Sequence, residues 1–352
     1  MVTGKGCVWI VLLEMRHITK EYGTLRANDD VSLTLNQGEV LAVVGENGAG
    51  KSTLMKILYG LEMPTQGEIY LNGELQKFRS PHDAIAQKIG MVQQHFMLLQ
   101  PCTVAENIVY GAEPRKLGLF FDRKRANEIT LELCKKYGLH IDPNMRICDC
   151  SVGLQQRVEI LKVLYQNANI IIFDEPSAVL TPLEVTELLK TIQKLVTMGK
   201  SIIIITHKLN EVMEVADRIV VMRQGKRIQE MAKTDTSIEE MSFLMVGRHI
   251  VEKEIPSPQV GDVILDIRNL VLAGPDQKNI LDHLNLHVDA GEIVGIAGVS
   301  GNGQSELIEC LTGMVPAASG EIRICNRNVA GKSVCEIREA GCACIPEDRY
   351  LW

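Results

Sequence analysis

The stretch Gly45-Glu46-Asn47-Gly48-Ala49-Gly50-Lys51-Ser52-Thr53 limits this chain more than any other. An apolar run from Val40 to Val44 precedes it, and a helix-patterned segment from Leu54 to Leu61 follows. The order is strand, glycine loop, helix, the setting a phosphate-binding loop needs. Glycines at 45, 48 and 50 let the backbone curl with its N–H groups inward, and the start of the helix adds its positive dipole end. In such a cradle Lys51 would reach the β- and γ-phosphates of a nucleotide, and the Ser52 hydroxyl would ligate Mg²⁺. An α/β fold of the P-loop type follows.

At 352 residues the chain is too long for one ordinary core, so two domains are expected. With 23% charged residues and a net charge of −7, it lacks the basic footprint of a nucleic-acid binder. The longest apolar runs, Val8 to Leu13 and Ile202 to Ile205, fall far short of the about 20 residues needed to cross a bilayer. Ten cysteines are scattered along the chain, and the pairs Cys148/Cys150 and Cys342/Cys344 lack zinc-site spacing, so reduced thiols are expected. The apolar patch before Glu14 lacks a small-residue cleavage pattern, and residues 1–11 read as an N-terminal extension.

Along the chain, alternation from Leu12 to Leu35 predicts two strands with a turn at Glu21-Tyr22-Gly23, where Tyr22 could stack on an adenine or pack on its own hairpin. Gly67 to Gly73 reads as a strand ending in an Asn-Gly turn, and Ile89 to Phe96 as a short strand whose Gln94 could reach a metal or an attacking water. Helical patterns cover Thr103 to Tyr110 and Arg123 to Tyr137. Ser151 caps a helix that continues to Tyr165, and Gly153 lets its N–H groups approach an anion. The run Ile170 to Phe173 ends in Asp174-Glu175, two carboxylates at a strand's C-terminal edge, where open α/β sheets bind ligands. Asp174 suits Mg²⁺ through water, and Glu175 suits a general base that orients water. The run Ile202 to Ile205 delivers His207 to the same edge, within reach of a γ-phosphate.

With Gly45 to Thr53, Gln94, Ser151 to Arg157, Ile170 to Glu175 and His207 in this order, residues 12–245 resemble the ATP-binding cassette proteins. Gly90 to Leu98, Thr103 to Ile108 and Asp174 to Thr181 resemble the tandem-cassette subunits of bacterial importers for simple sugars and nucleosides, the nucleoside branch nearest. The resemblance implies a P-loop NTPase cassette, a mixed sheet core with a helical subdomain at about 95–160. It also implies roles: Tyr22 stacks on adenine, Gln94 senses the γ-phosphate and Mg²⁺ beside a permease contact, Glu175 and His207 act in hydrolysis, and Ser151 with Gly153 form the signature loop. Departures are Cys150 where leucine is usual, Leu154 where glutamate or glutamine is usual, and Thr181 in place of an aspartate.

A single gap-free offset carries Gly38-Glu39 onto Gly291-Glu292, Gly45 onto Gly298, Gly50 onto Gly303, Ser52 onto Ser305, Gly60 onto Gly313 and Gly67-Glu68-Ile69 onto Gly320-Glu321-Ile322. A first cassette over 12–247, a linker over 248–262 with Pro256 and Pro258, and a second, incomplete cassette over 263–352 are therefore expected. Opposite Lys51 stands Gln304, a neutral amide without lysine's charge or reach, so the second loop should hydrolyse nucleotide poorly. The chain stops at Trp352 before any second signature or second Asp-Glu pair, which suggests a truncated product or fragment that binds MgATP and turns it over slowly when alone.

The main expectation is an ATP-hydrolysing, energy-coupling subunit at the cytoplasmic face of the cell membrane. Its partners would be a permease and, indirectly, a solute-binding lipoprotein, with pairing to a second cassette. A ribosome-associated tandem cassette factor and a catalytically weak nucleotide-binding remnant are the alternatives.

Overall fold

The computed structural model describes residues 10–94, 96–116, 118–248, 260–274, 278–298 and 301–345. The linker expected over 248–262 lies mostly outside these residues, as do positions 1–9 of the N-terminal extension. Contacts divide the chain into two compact units, Met1–Val251 and Glu252–Trp352.

The first unit opens with a hairpin of β1 (Val11–Tyr22) and β2 (Leu25–Asn36). Tyr22 thus ends a strand and does not occupy the turn, which falls on Gly23 with its positive φ. Next comes β3 (Val40–Val44), buried throughout, which feeds the phosphate loop and α1 (Lys51–Leu58). The strands β4 (Gln66–Leu71) and β5 (Glu74–Gln76) meet at Asn72 and Gly73, both at positive φ, as an Asn-Gly hairpin turn requires. A Ser80/Asp83 capping box starts α2 (Pro81–Ala86), and β6 (Ile89–Val92) follows.

The insertion holds α3 (Val104–Ile108), opened by a Thr103/Glu106 capping box, and α4 (Arg123–Tyr137), which ends at Gly138 in the left-handed conformation. Between them lies a small hairpin, β7 (Arg115–Lys116) with β8 (Phe120–Phe121), which helical periodicity does not foretell. The unit is completed by α5 (Val152–Tyr165), β9 (Ile170–Asp174), α6 (Pro182–Thr197), β10 (Ser201–Thr206), α7 (Leu209–Val215), β11 (Arg218–Arg223), β12 (Lys226–Ala232) and α8 (Ile238–Val246).

A six-stranded sheet runs in the order β12-β11-β3-β10-β9-β6, parallel except for its β12 edge. Its inner strands are almost wholly apolar because both faces are covered. Val40, Ala42 and Val44 enter one core with Phe173 and Ile204, while Leu41 and Val43 enter a second with Ile172 and Ile205. That second core also takes the inner face of an antiparallel sheet, β2-β1-β4-β5. The parallel register fixes the site: Thr206 stands level with Val44, Asp174 with Ile205, and Val92 with Phe173. Four strands therefore end at one edge. Among the described residues no helix is long and apolar enough to cross a membrane.

The second unit repeats the antiparallel sheet and the first two helices of the first. Its strands β13 (Val263–Ala273), β14 (Asn279–Asp289), β15 (Ser319–Ile324) and β16 (Arg327–Asn328) pair in the order β14-β13-β15-β16, and its helices are α9 (Gln304–Thr312) and α10 (Val334–Glu339). The repeat extends to single dihedral angles: Gly50 and Gly303 have φ of 93° and 96°, Gly60 and Gly313 of 77° and 79°, Gly67 and Gly320 of 105° and 109°. A counterpart of β3 is missing, however. Residues 293–297 form no strand, and Ile293 is 97% exposed. In the first unit β3 is held by β10 and β11 on either side, and the second unit has no strand among its described residues to play those parts.

Candidate functional site

The phosphate loop is shaped by what its glycines avoid. A Cβ on Gly45 would overlap the Met222 carbonyl oxygen, and one on Gly50 would overlap the Ala27 carbonyl oxygen while Gly50 itself sits at φ 93°. Gly48 has open space around it but φ of 82°, so its glycine answers to the backbone alone. Glu46 closes the curl by accepting the Ala49 N–H at 3.1 Å. Sequence reasoning missed Asn28. Fully buried on β2, it donates Nδ2 to the Gly50 carbonyl at 3.0 Å and so fixes the residue before α1.

Lys51 is the first residue of α1 and is buried. Its Nζ donates to the carbonyls of Gly45 at 2.8 Å and Glu46 at 2.9 Å, which folds the ammonium back across the cradle. Burial lowers its pKa, and the nearby Glu175 and Asp174 charges pull it back up. Ser52 Oγ donates to Asp174 Oδ1 at 3.0 Å, so the two residues expected to serve a metal are already in contact. Burial holds the Asp174 carboxyl above its ordinary value, against the Ser52 hydrogen bond.

Glu175 follows at φ 46°, a left-handed conformation unusual for glutamate, held in part by its N–H to the Ile205 carbonyl at 2.9 Å. The twist brings its carboxylate between two flanking side chains. His207 Nδ1 lies 3.3 Å from Oε1, and Gln94 Nε2 donates to Oε2 at 3.5 Å. Gln94, Glu175 and His207, far apart in sequence, thus form one cluster beside Asp174 and Ser52.

Ser52, Gln94 and Glu175 border a cavity of about 710 Å³, lined also by Tyr22, Arg26, Ala27, the loop from Asn47 to Lys51, Thr53, Gln224 and Gly225, while Asp174 and His207 stand behind its lining. Tyr22 stands at its margin, 44% exposed, with Lys20 Nζ 5.0 Å from its ring centroid. Gln224 and Gly225 carry no phosphate-binding pattern in the sequence; they form the tight turn between β11 and β12, and Gly225 N–H bonds to the Ala49 carbonyl at 3.1 Å. Ser151 and Gly153 are not part of this cavity. Ser151 caps α5, accepting the Leu154 N–H, and Gly153 lines a separate cavity with Glu184, which a Cβ at Gly153 would strike.

The sequence profile described as ABC transporter matches residues 28–178 and again 281–352. The chain belongs to the ABC transporter family. Its first unit is a cassette of the P-loop NTPase fold, and its second carries part of another. The nucleoside import ATP-binding protein NupA of Lactococcus lactis is 47% identical over 342 residues, covering 96% of this chain and 67% of that protein. The guanosine import ATP-binding protein NupO of Bacillus subtilis is 48% identical over 340 residues, covering 96% and 66%. The chain thus spans about two thirds of the length of these relatives. A solved ATP-binding cassette of an ABC transporter in its ADP conformation superposes with a TM-score of 0.59 at 25% identity, covering 67% of this chain and 95% of that one.

The cassette's donor set fits a magnesium nucleotide. Among the described residues no group of three or more His, Cys, Asp or Glu side chains could hold a metal by itself. A Mg²⁺ held by Ser52, Asp174 and substrate phosphates needs none, because that ion keeps most of its ligands as water and phosphate oxygens. The pKa directions give a test. If Asp174 holds the metal it must be ionised, so Mg²⁺ affinity should hold above its raised pKa and fall as pH drops through it. If Lys51 holds phosphate it must be charged, so ATP affinity should fall as pH rises through its lowered pKa. Titrations of MgATP from acid to alkaline pH should show both flanks, and a flat profile would remove these two groups from the site.

Proposed function

We propose that this cassette protein binds and hydrolyses ATP to drive a membrane importer of nucleosides. The observation that carries the reading is the meeting of Gln94, Glu175 and His207 at one carboxylate, beside the Ser52–Asp174 pair and above the Gly45–Thr53 loop. The loop amides and Lys51 hold the triphosphate, and Tyr22 at the cavity margin stacks on the adenine. Ser52 and Asp174, with Gln94, would hold Mg²⁺, which when bound neutralises charge on the β- and γ-phosphates. Glu175 accepts a proton from the attacking water, and Gln94 and His207 orient that water and the γ-phosphate. This is positioning and electrostatics, with no covalent intermediate on the protein.

Ser151 and Gly153 serve a nucleotide bound by a partnered cassette, within one chain or between two, since they stand outside the cavity of their own phosphate loop. Gln304 in the place of Lys51 makes the second loop a poor hydrolytic site. The protein works at the cytoplasmic face of the membrane, on permease subunits that receive solute from a binding lipoprotein. Both curated relatives described above carry nucleoside or guanosine import in their names, which favours nucleosides over simple sugars.

Vesicles reconstituted with this protein and the permease subunits encoded beside it test the reading. ATP inside the vesicles should drive uptake of labelled nucleoside and leave ribose outside. Co-sedimentation with ribosomes and no ATP-driven uptake would replace the importer by the ribosomal alternative.

A further inference from the structure

Helix α5 begins at the signature serine, and one of its later residues is placed at a disadvantage. Glu159 is 4% exposed, and its Oε1 has no hydrogen-bond partner. Burial raises its pKa, and its charge helps to raise that of Tyr59, a largely buried residue at the C-terminal cap of α1. An apolar side chain of equal size would fill the space at lower cost.

What the acid stands beside is the lysine that holds Met97. Lys162, one turn further along α5, donates Nζ to the Met97 carbonyl at 3.0 Å. Lys162 Nζ is also 3.7 Å from Glu159 Oε1, so the acid braces the side chain that grips Met97. Among the described residues Met97 forms no backbone–backbone hydrogen bond. It lies three positions past Gln94, outside any helix or strand, with its side chain 60% exposed. The same helix reaches the catalytic strand end as well, because buried Gln156 donates Nε2 to the Pro176 carbonyl at 2.6 Å, directly after Glu175.

We propose that Glu159 and Lys162 are positioning residues that clamp the loop behind Gln94 onto α5, so that nucleotide contact at Gln94 is transmitted to Ser151 and Gly153. The proposal rests on the nucleotide reading of the site. A helix moves as one body, so displacing Met97 shifts the start of α5 instead of being absorbed by a slack loop. The clamp gives that link named atoms at both ends.

Hydrogen exchange of the whole chain with and without MgATP, at a concentration where it is monomeric, tests the clamp alongside a titration of ATP affinity. In the unmodified chain ATP should slow exchange at residues 90–98 and at 151–157. In Glu159→Met and Lys162→Met the affinity and the protection at 90–98 should remain, while protection at 151–157 is lost. Glu159→Gln, whose amide oxygen can still meet the Lys162 ammonium, should keep it. Exchange at β9 and β10 reports folding, and where Glu159→Met does not fold, Lys162→Met decides alone. Undiminished protection at 151–157 in a folded methionine variant that binds ATP overturns the clamp. Absence of ATP binding in the unmodified chain overturns the nucleotide reading itself, and the titration tells the two failures apart.

Discussion

Glu175→Gln is expected to bind MgATP as well as the unmodified protein and to hydrolyse it about 10²- to 10⁴-fold more slowly, the usual contribution of a positioned general base. The substitution keeps the size and shape of the side chain and removes only its ability to take a proton. An amide in this place can still meet His207 and Gln94, which stand 3.3 and 3.5 Å from the two carboxylate oxygens. Binding is spared because the carboxylate contributes negative charge to a site built for an anion, and neutralising it removes a repulsion. Single-turnover hydrolysis with labelled ATP measures the drop whatever the steady-state rate of the chain. A variant that hydrolyses at the unmodified rate would move the base role off Glu175.

Much of this site is legible in the sequence because its chemistry is local. A curled phosphate cradle demands glycine where φ turns positive or a Cβ would meet a carbonyl, and Gly45, Gly48 and Gly50 meet those demands one by one. The strands β3, β9 and β10 announce themselves as unbroken apolar runs because a parallel sheet covered on both faces offers no place for a polar residue. Polar groups directly after such runs must stand at the strand ends, which is how Asp174, Glu175 and His207 are found.

What the sequence hides is long-range. The position of β10 between β3 and β9 is a pairing of strands about which local pattern is silent, yet it sets Glu175 beside His207. Asn28 resembles any polar residue in an edge hairpin until its amide is seen on the Gly50 carbonyl. Gln156 and Lys162 sit within a helix whose amphipathic pattern explains them as ordinary side chains, and only their partners, Pro176 and Met97, show otherwise. The second unit teaches the converse. Its offset repeat predicts the turns, α9 and the small sheet to within two residues, but residues 293–297 do not become a strand although they align with β3. A buried parallel strand is a property of its neighbours as much as of its own apolar residues.

The whole account depends on the Gly45–Thr53 loop holding a triphosphate through Lys51. In the structure the Lys51 ammonium is buried and bonds to the carbonyls of Gly45 and Glu46, with Asp174 and Glu175 close by. Phosphate oxygens would replace neutral acceptors by charged ones, and each such charge-assisted hydrogen bond contributes about 1.5–3 kcal/mol. Losing one corresponds to about a 10- to 100-fold weaker affinity. Alanine also removes the stem that fills the loop, while the glycine curl and α1 remain. Calorimetric titration of MgATP into the unmodified chain and into Lys51→Ala is therefore the most direct measurement. The account predicts an affinity at least about tenfold weaker in the variant, and equal affinities in the two proteins would contradict it.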